Sequence, residues 1–169
     1  MLNLLGRSAA ERLKSVTIVL LTAVLVSLIW QMSNQGAAAA SDQAERDAAV
    51  AAAWRFAIAL TTYDFAHPDV QVSQVGAVSS VSVRDRVRMA TADLVAAKAS
   101  SVGDPISAMV VSEIKSTVNV VVRTSQVVSG SYVRTGVVFV GLLSVTVTLS
   151  NGRSVVTDYR WIESLTTEP

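Results

Sequence analysis

The chain has no cysteine, one histidine, three prolines and few aromatic side chains, and charged residues make up only 16% of it. Without cysteine, disulfide frameworks, thiolate metal sites and cysteine nucleophiles are excluded, and the redox compartment cannot be read from thiol usage. His67 stands alone, so a zinc site would need carboxylates for nearly every ligand, an uncommon donor set. No metal and no cofactor is expected. Charge is also scarce against the roughly 25% of an average soluble protein, and part of the apolar excess is assigned to membrane. From Asp42 onward there are 11 basic and 12 acidic residues with no basic run. Nucleic-acid binding therefore has no electrostatic footprint. At 169 residues the length suits one domain plus an appendage.

What is present begins with an uncharged stretch from Ser15 to Ser41, inside which Val16 to Trp30 is almost continuously apolar. This predicts a single-pass membrane helix over 15–32, with Val16, Leu20 and Leu25 in the lipid bilayer and Trp30 at the interface. Arg7, Arg12 and Lys14 precede it, which by the positive-inside tendency sets the amino terminus in the cytoplasm and the rest outside. The strict apolar core spans about 22 Å, short of a ~30 Å hydrocarbon layer unless the helix runs on through Leu13 and Met32. A cleaved signal peptide is the rival reading, since "QGAAAASD" offers a small-x-small site ending at Ala40. Trp30 and the long spacer after it favour the anchor. The expected organisation is a tail at 1–14, the span at 15–32, a linker at 33–41, an extracytoplasmic domain at 42–165 and a tail at 166–169.

The domain opens with a predicted helix from Asp42 to Tyr63, with Asp42 as cap and Glu45 three positions on. Val50, Trp54 and Ile58 share one face, and Ala53, Phe56, Leu60 and Tyr63 another. A helix enclosed on more than one side, as in the concavity of a curved sheet, fits that pattern. Ser82 with Asp85 reads as a capping box for a second helix whose apolar side is Val83, Val87, Ala90, Leu94 and Ala97. Arg84, Arg86, Arg88, Asp93 and Lys98 then fall mainly on or beside its solvent face. "SVGDP", Ser101 to Pro105, is expected to break the pattern.

Beyond Pro105 the composition turns to Val, Thr and Ser, which favours strands. They are expected at Ala108–Lys115, Thr117–Val128, Tyr132–Leu149 and Ser154–Glu163. Asn151-Gly152 is a strong two-residue hairpin signal, and Gly136 and Gly141 are read as bulges or bends in the long third strand. Val145, Val147 and Leu149 alternate with Thr146 and Thr148, giving one buried and one more exposed face. Helices first and an antiparallel meander after them define an α+β architecture.

The layout of a short basic tail, one span, a helix ending in "LTTYDF" (Leu60 to Phe65) and a terminal hairpin "SVTVTLSNGRSVVTDYRWI" resembles the Mce-associated membrane proteins of actinobacteria. These are similar in turn to the small bitopic assembly factors of type IV secretion systems. The resemblance implies a nuclear transport factor 2-like, cystatin-like cone in which helices pack on a curved antiparallel sheet. It also implies a non-enzymatic accessory or scaffold subunit of an envelope transport complex, of the Mce lipid-import kind or, alternatively, of a secretion or conjugation apparatus. Implied partners are other envelope subunits, with a homo-oligomer and a bound lipid open. Ser154 stands where that hairpin usually carries tryptophan, and Pro68 is expected to cut short the small helix that follows the Tyr-Asp pair.

The candidate pocket residues are Trp54, Phe56, Tyr63 and Asp64. The residue chemistry favours structural roles. Thr61 and Thr62 bond back to helix carbonyls, Tyr63 buries its ring, Asp64 caps the next turn, and Pro68 pushes His67 toward extended backbone. The sharper alternative makes Tyr63 a donor and Asp64 a base on an enolisable ligand, with Trp54 and Phe56 packing it. Successive helical residues point about 100° apart, so that pair converges only if the helix ends between them. A third alternative is an apolar cone that carries a lipid without chemistry.

Overall fold

The computed structural model describes Ser27, residues 40–131 and residues 133–167. Residues 44–169 form one compact unit; of the preceding unit, 1–43, only Ser27 and residues 40–43 are described. No helix among the described residues is long and apolar enough to cross a membrane. The span expected at 15–32, with Val16, Leu20, Leu25 and Trp30, lies outside the described residues apart from Ser27.

Helix α1 covers the described residues 40–61. Ala40 and Ser41 are already helical, so Asp42 is not the cap. The buried stripe is Ala49, Ala52, Ala53, Phe56 and Ala57, an i, i+3, i+4, i+7, i+8 series. The expected Val50–Trp54–Ile58 face is covered only in part: Val50 packs half-buried against the core, Trp54 is half-buried and Ile58 is exposed. Alanine's short side chains at four positions of the buried stripe leave room for Phe56, its one large side chain, to be fully buried.

The helix ends at residue 61, not at Tyr63. Thr61 Oγ1 donates to Ala57 O at 2.7 Å, as expected, but Thr62 reaches the sheet instead. Its Oγ1 accepts from Gly103 N at 3.2 Å and lies 3.4 Å from Gly103 O. Tyr63–Asp64 then forms the two-residue strand β1.

Pro68 does not cut the next helix short. It begins α2, Pro68–Val78, from the first turn, where a missing N–H costs nothing and the fixed φ is helical. His67 before it has φ −135° and ψ 58°, out of the helical region but short of fully extended. Helix α3, Val81–Ala96, is capped by Ser80, whose side chain accepts from Val83 N at 3.4 Å. The expected Ser82–Asp85 box is thus displaced. Ser80 N donates to Val156 O at 2.8 Å, and Ser79 bridges Val156, which holds Ser80 in the extended conformation a cap requires. Ala97 and Lys98 lie past the helix. Lys98, with φ 48°, sends its N–H to Val95 O while Ala99 N reaches Leu94 O, a Schellman closure.

Strands β2 (Ser100–Ile114), β3 (Thr117–Gly130), β4 (Val133–Ser150) and β5 (Arg153–Thr167) join β1 in one antiparallel sheet of order β1-β2-β3-β4-β5. β2 starts well before the expected Ala108 and runs through "SVGDP". A bulge between Pro105 and Ser107 interrupts the ladder there, the setting in which a strand tolerates proline. Asn151 and Gly152 both have positive φ, as the expected hairpin requires. Gly136, also at positive φ, sits where β4 falls out of step with β3. Gly141 is no bulge, because it pairs in register with Thr124.

Val118, Val120 and Val122 of β3, Leu143, Val145 and Val147 of β4, and Val156 of β5 are fully buried against the alanine stripe, Val75 and Val83. Thr146 turns outward and donates to Asn119 Oδ1 at 2.9 Å, and Asn119 Nδ2 donates to Ser112 Oγ at 2.8 Å. Among the described residues the architecture is α+β, a five-stranded antiparallel sheet with helices α1, α2 and α3, consistent with the cone that the resemblance implies.

Candidate functional site

Two clefts meet at a wall made by Tyr63 and Gln71, which line both. The first, about 600 Å³, lies at the β1 end of the sheet and is bordered by Asp64, His67, Gln74, Ser100 and Ser101. The second, about 490 Å³, lies between α3 and the inner surface of β3, β4 and β5, with Val87, Leu94, Phe139, Tyr159 and Trp161 among its walls.

Asp64 organises the first cleft. Its Oδ1 accepts from Ala66 N at 3.0 Å and from Ser100 Oγ at 3.2 Å, and its Oδ2 lies 3.1 Å from His67 Nδ1. The Ala66 N–H and then His67 hold the carboxyl below the ordinary aspartate value. These three contacts fill both acceptor sites of Oδ1 and one of Oδ2. Tyr63 is half-buried, and burial pushes its hydroxyl up from the ordinary tyrosine value. The nearby Ser101 hydroxyl pulls weakly the other way, too poorly placed for a hydrogen bond of its own. Both residues lie beyond the end of α1, and adjacent strand positions point to opposite faces. Their geometry is a helix terminus followed by a capped turn.

Phe56 is fully buried and packs its ring 5.2 Å from that of Tyr159, so it supports the second cleft from beneath without lining it. Trp54 lines neither cleft. Arg86, placed on a solvent face by its spacing, crosses to β5. Its Nη2 donates to Asp158 Oδ1 at 2.9 Å and to Tyr159 O at 3.2 Å. Asp158 is held below its ordinary pKa, first by Arg86. Among the described residues no three His, Asp or Glu side chains gather in metal-holding geometry.

No family model matches the chain, and no curated protein matches its sequence. Solved structures do match. The putative transfer protein TraH of the Gram-positive conjugative plasmid pIP501 aligns over 69% of this chain and 93% of its own at 8% identity, with a TM-score of 0.51. The likeness is one of fold. CagV of Helicobacter pylori, a VirB8 homolog, aligns over 66% of this chain and 94% of its own at 11% identity and a TM-score of 0.49. The soluble domain of TrwG from the type IV secretion machinery of Bartonella grahamii covers 68% and 90% at 14% identity and 0.47.

The sequence reading missed Gln71, Trp161 and Gly141 as cleft residues. Gln71 had a signal: with Val75 and Val78 it falls at i, i+4, i+7 on the covered face of α2, a polar residue in an apolar stripe. Gly141 is an inward position of β4, and without a side chain there the second cleft gains depth.

Proposed function

We propose that the chain is a non-catalytic subunit that works by contact in a type IV secretion or conjugation apparatus, with residues 15–32 anchoring it in the cell membrane and the amino terminus inside. The observation that carries this reading is β2. Beyond Ser101 it has no strand on its outer side among the described residues, and Val102, Ile106, Met109, Val111 and Ile114 along it are exposed. An open edge with apolar side chains is a liability in a free protein and a docking surface in an assembled one. Asp64, bound up as a cap, supports the non-enzymatic part. The fold shared with a conjugative transfer protein supports the choice of machine over Mce-type lipid import, to which no comparison adds weight.

The test is capture of the tagged full chain from membranes of its native cell, beside a Met109→Asp, Val111→Lys double variant. Secretion or conjugation subunits should come with the unaltered chain and be lost with the variant at equal expression. Mce-type transport proteins in their place would move the assignment to lipid import. Recovery of the chain alone would refute the contact reading.

A further inference from the structure

Gln71 is 3% exposed, and its Oε1 has no hydrogen-bond partner among the described residues. The amide cannot simply turn over. Its Nε2 donates at 2.9 Å to Leu60 O, one of the carbonyls that the end of α1 leaves without a helical partner, and a flip would set oxygen against oxygen. Gln71, which lines the first cleft as well as the second, therefore holds a buried, desolvated acceptor in the wall that the second cleft shares with the first, and an acceptor in such a place is costly unless a donor meets it.

The rest of that cleft defines what the donor belongs to. None of its lining residues is charged. A carboxylate or phosphate head would meet no cation and, having only acceptors, would not satisfy Oε1. An ammonium would meet no carboxylate. Leu94, Phe139 and Trp161 supply apolar walls, Gly141 gives depth, and the volume of about 490 Å³ falls in the range of small-molecule sites. Ala90 and Trp161, both exposed, form the mouth.

We propose that this cleft binds a neutral, mainly apolar molecule bearing a hydroxyl, whose O–H donates to Gln71 Oε1 while its hydrocarbon packs against Leu94, Phe139 and Trp161. The site is independent of the docking edge on β2, so either assignment stands or falls without the other. Its specificity is for a donor head without charge, which separates it from a fatty-acid or phospholipid-head site.

The test uses the full chain in phospholipid nanodiscs and three water-soluble probes. Cyclohexanol carries the donor; cyclopentyl methyl ether, its isomer, lacks it; cyclohexanecarboxylate is charged. Binding is read from the change in Trp161 fluorescence, assigned by its absence in Trp161→Phe, and from the thermal shift of the domain. Cyclohexanol should bind about fivefold to tenfold more tightly than the ether, and the preference should vanish in Gln71→Met. Ala90→Trp, an exposed substitution at the mouth, should abolish binding of both without unfolding the domain, and serves if the Gln71 variant does not fold. Equal affinity for alcohol and ether, preference for the carboxylate, no binding at all, or binding indifferent to Ala90→Trp would overturn the proposal.

Discussion

The guanidinium carbon of Arg86 lies 4.1 Å from the centre of the Tyr159 ring, joining α3 to β5 at the ring that also meets Phe56 in a tilted contact. The contact combines a cation–π interaction with the Asp158 ion pair. Both partners of that pair are substantially exposed, so the pair itself adds little. Arg86→Ala should destabilise the domain by about 1 kcal/mol, read as a lower midpoint in urea unfolding. Arg86→Lys should recover only part of it, because lysine lacks the planar fork.

Gly103 tests the seating of α1 on the sheet. A Cβ at this position would come 1.9 Å from Thr61 Oγ1 and 2.2 Å from Thr61 Cβ. Gly103→Ala should therefore cost about 1–3 kcal/mol as overpacking. Pairing it with Thr61→Ser, which removes only a methyl group, should leave most of the loss in place.

Lys98 occupies the left-handed position of a Schellman closure that glycine fills more comfortably. Lys98→Gly should stabilise the domain by roughly 0.5–1 kcal/mol. Differential scanning calorimetry would show the rise, and an unchanged or lower midpoint would contradict the closure.

Acid should act through Asp64 and Asp158. Both carboxyls are held below their ordinary values in the fold. Their contribution is complete above the unfolded value of about 4 and is lost as pH falls through the depressed folded values. Stability should hold down to that range and then drop. Asp158→Asn should flatten the drop, with unfolding midpoints measured from pH 6 to pH 2.

Much of the architecture was legible because its signals are local. Asn151-Gly152 specifies its hairpin, and the alternation of Val145 and Val147 with Thr146 and Thr148 specifies a face. What was hidden depends on distant partners. Alanines at 49, 52, 53 and 57 look neutral until the fold buries them beside Phe56. Pro105 reads as a breaker until a bulge accommodates it, and Pro68 reads as one until it falls in the first turn of α2. At the candidate site, Tyr63 and Asp64 stood out for their chemistry; in the structure they form strand β1 beyond the end of α1, and Asp64 closes the turn that follows. Gln71 carried only the weak signal of a polar residue spaced with Val75 and Val78, and its weight depends on a burial that the fold alone supplies.

The most direct measurement of the central claim is site-specific photocrosslinking in membranes of the native cell. A benzophenone side chain would be placed at Met109 on β2 and, as a control, at Met89 on α3; both positions are exposed. The account predicts adducts with secretion or conjugation subunits from position 109 and none from position 89. No adducts at 109, equal adducts at both positions, or adducts only with lipid-import proteins would contradict it.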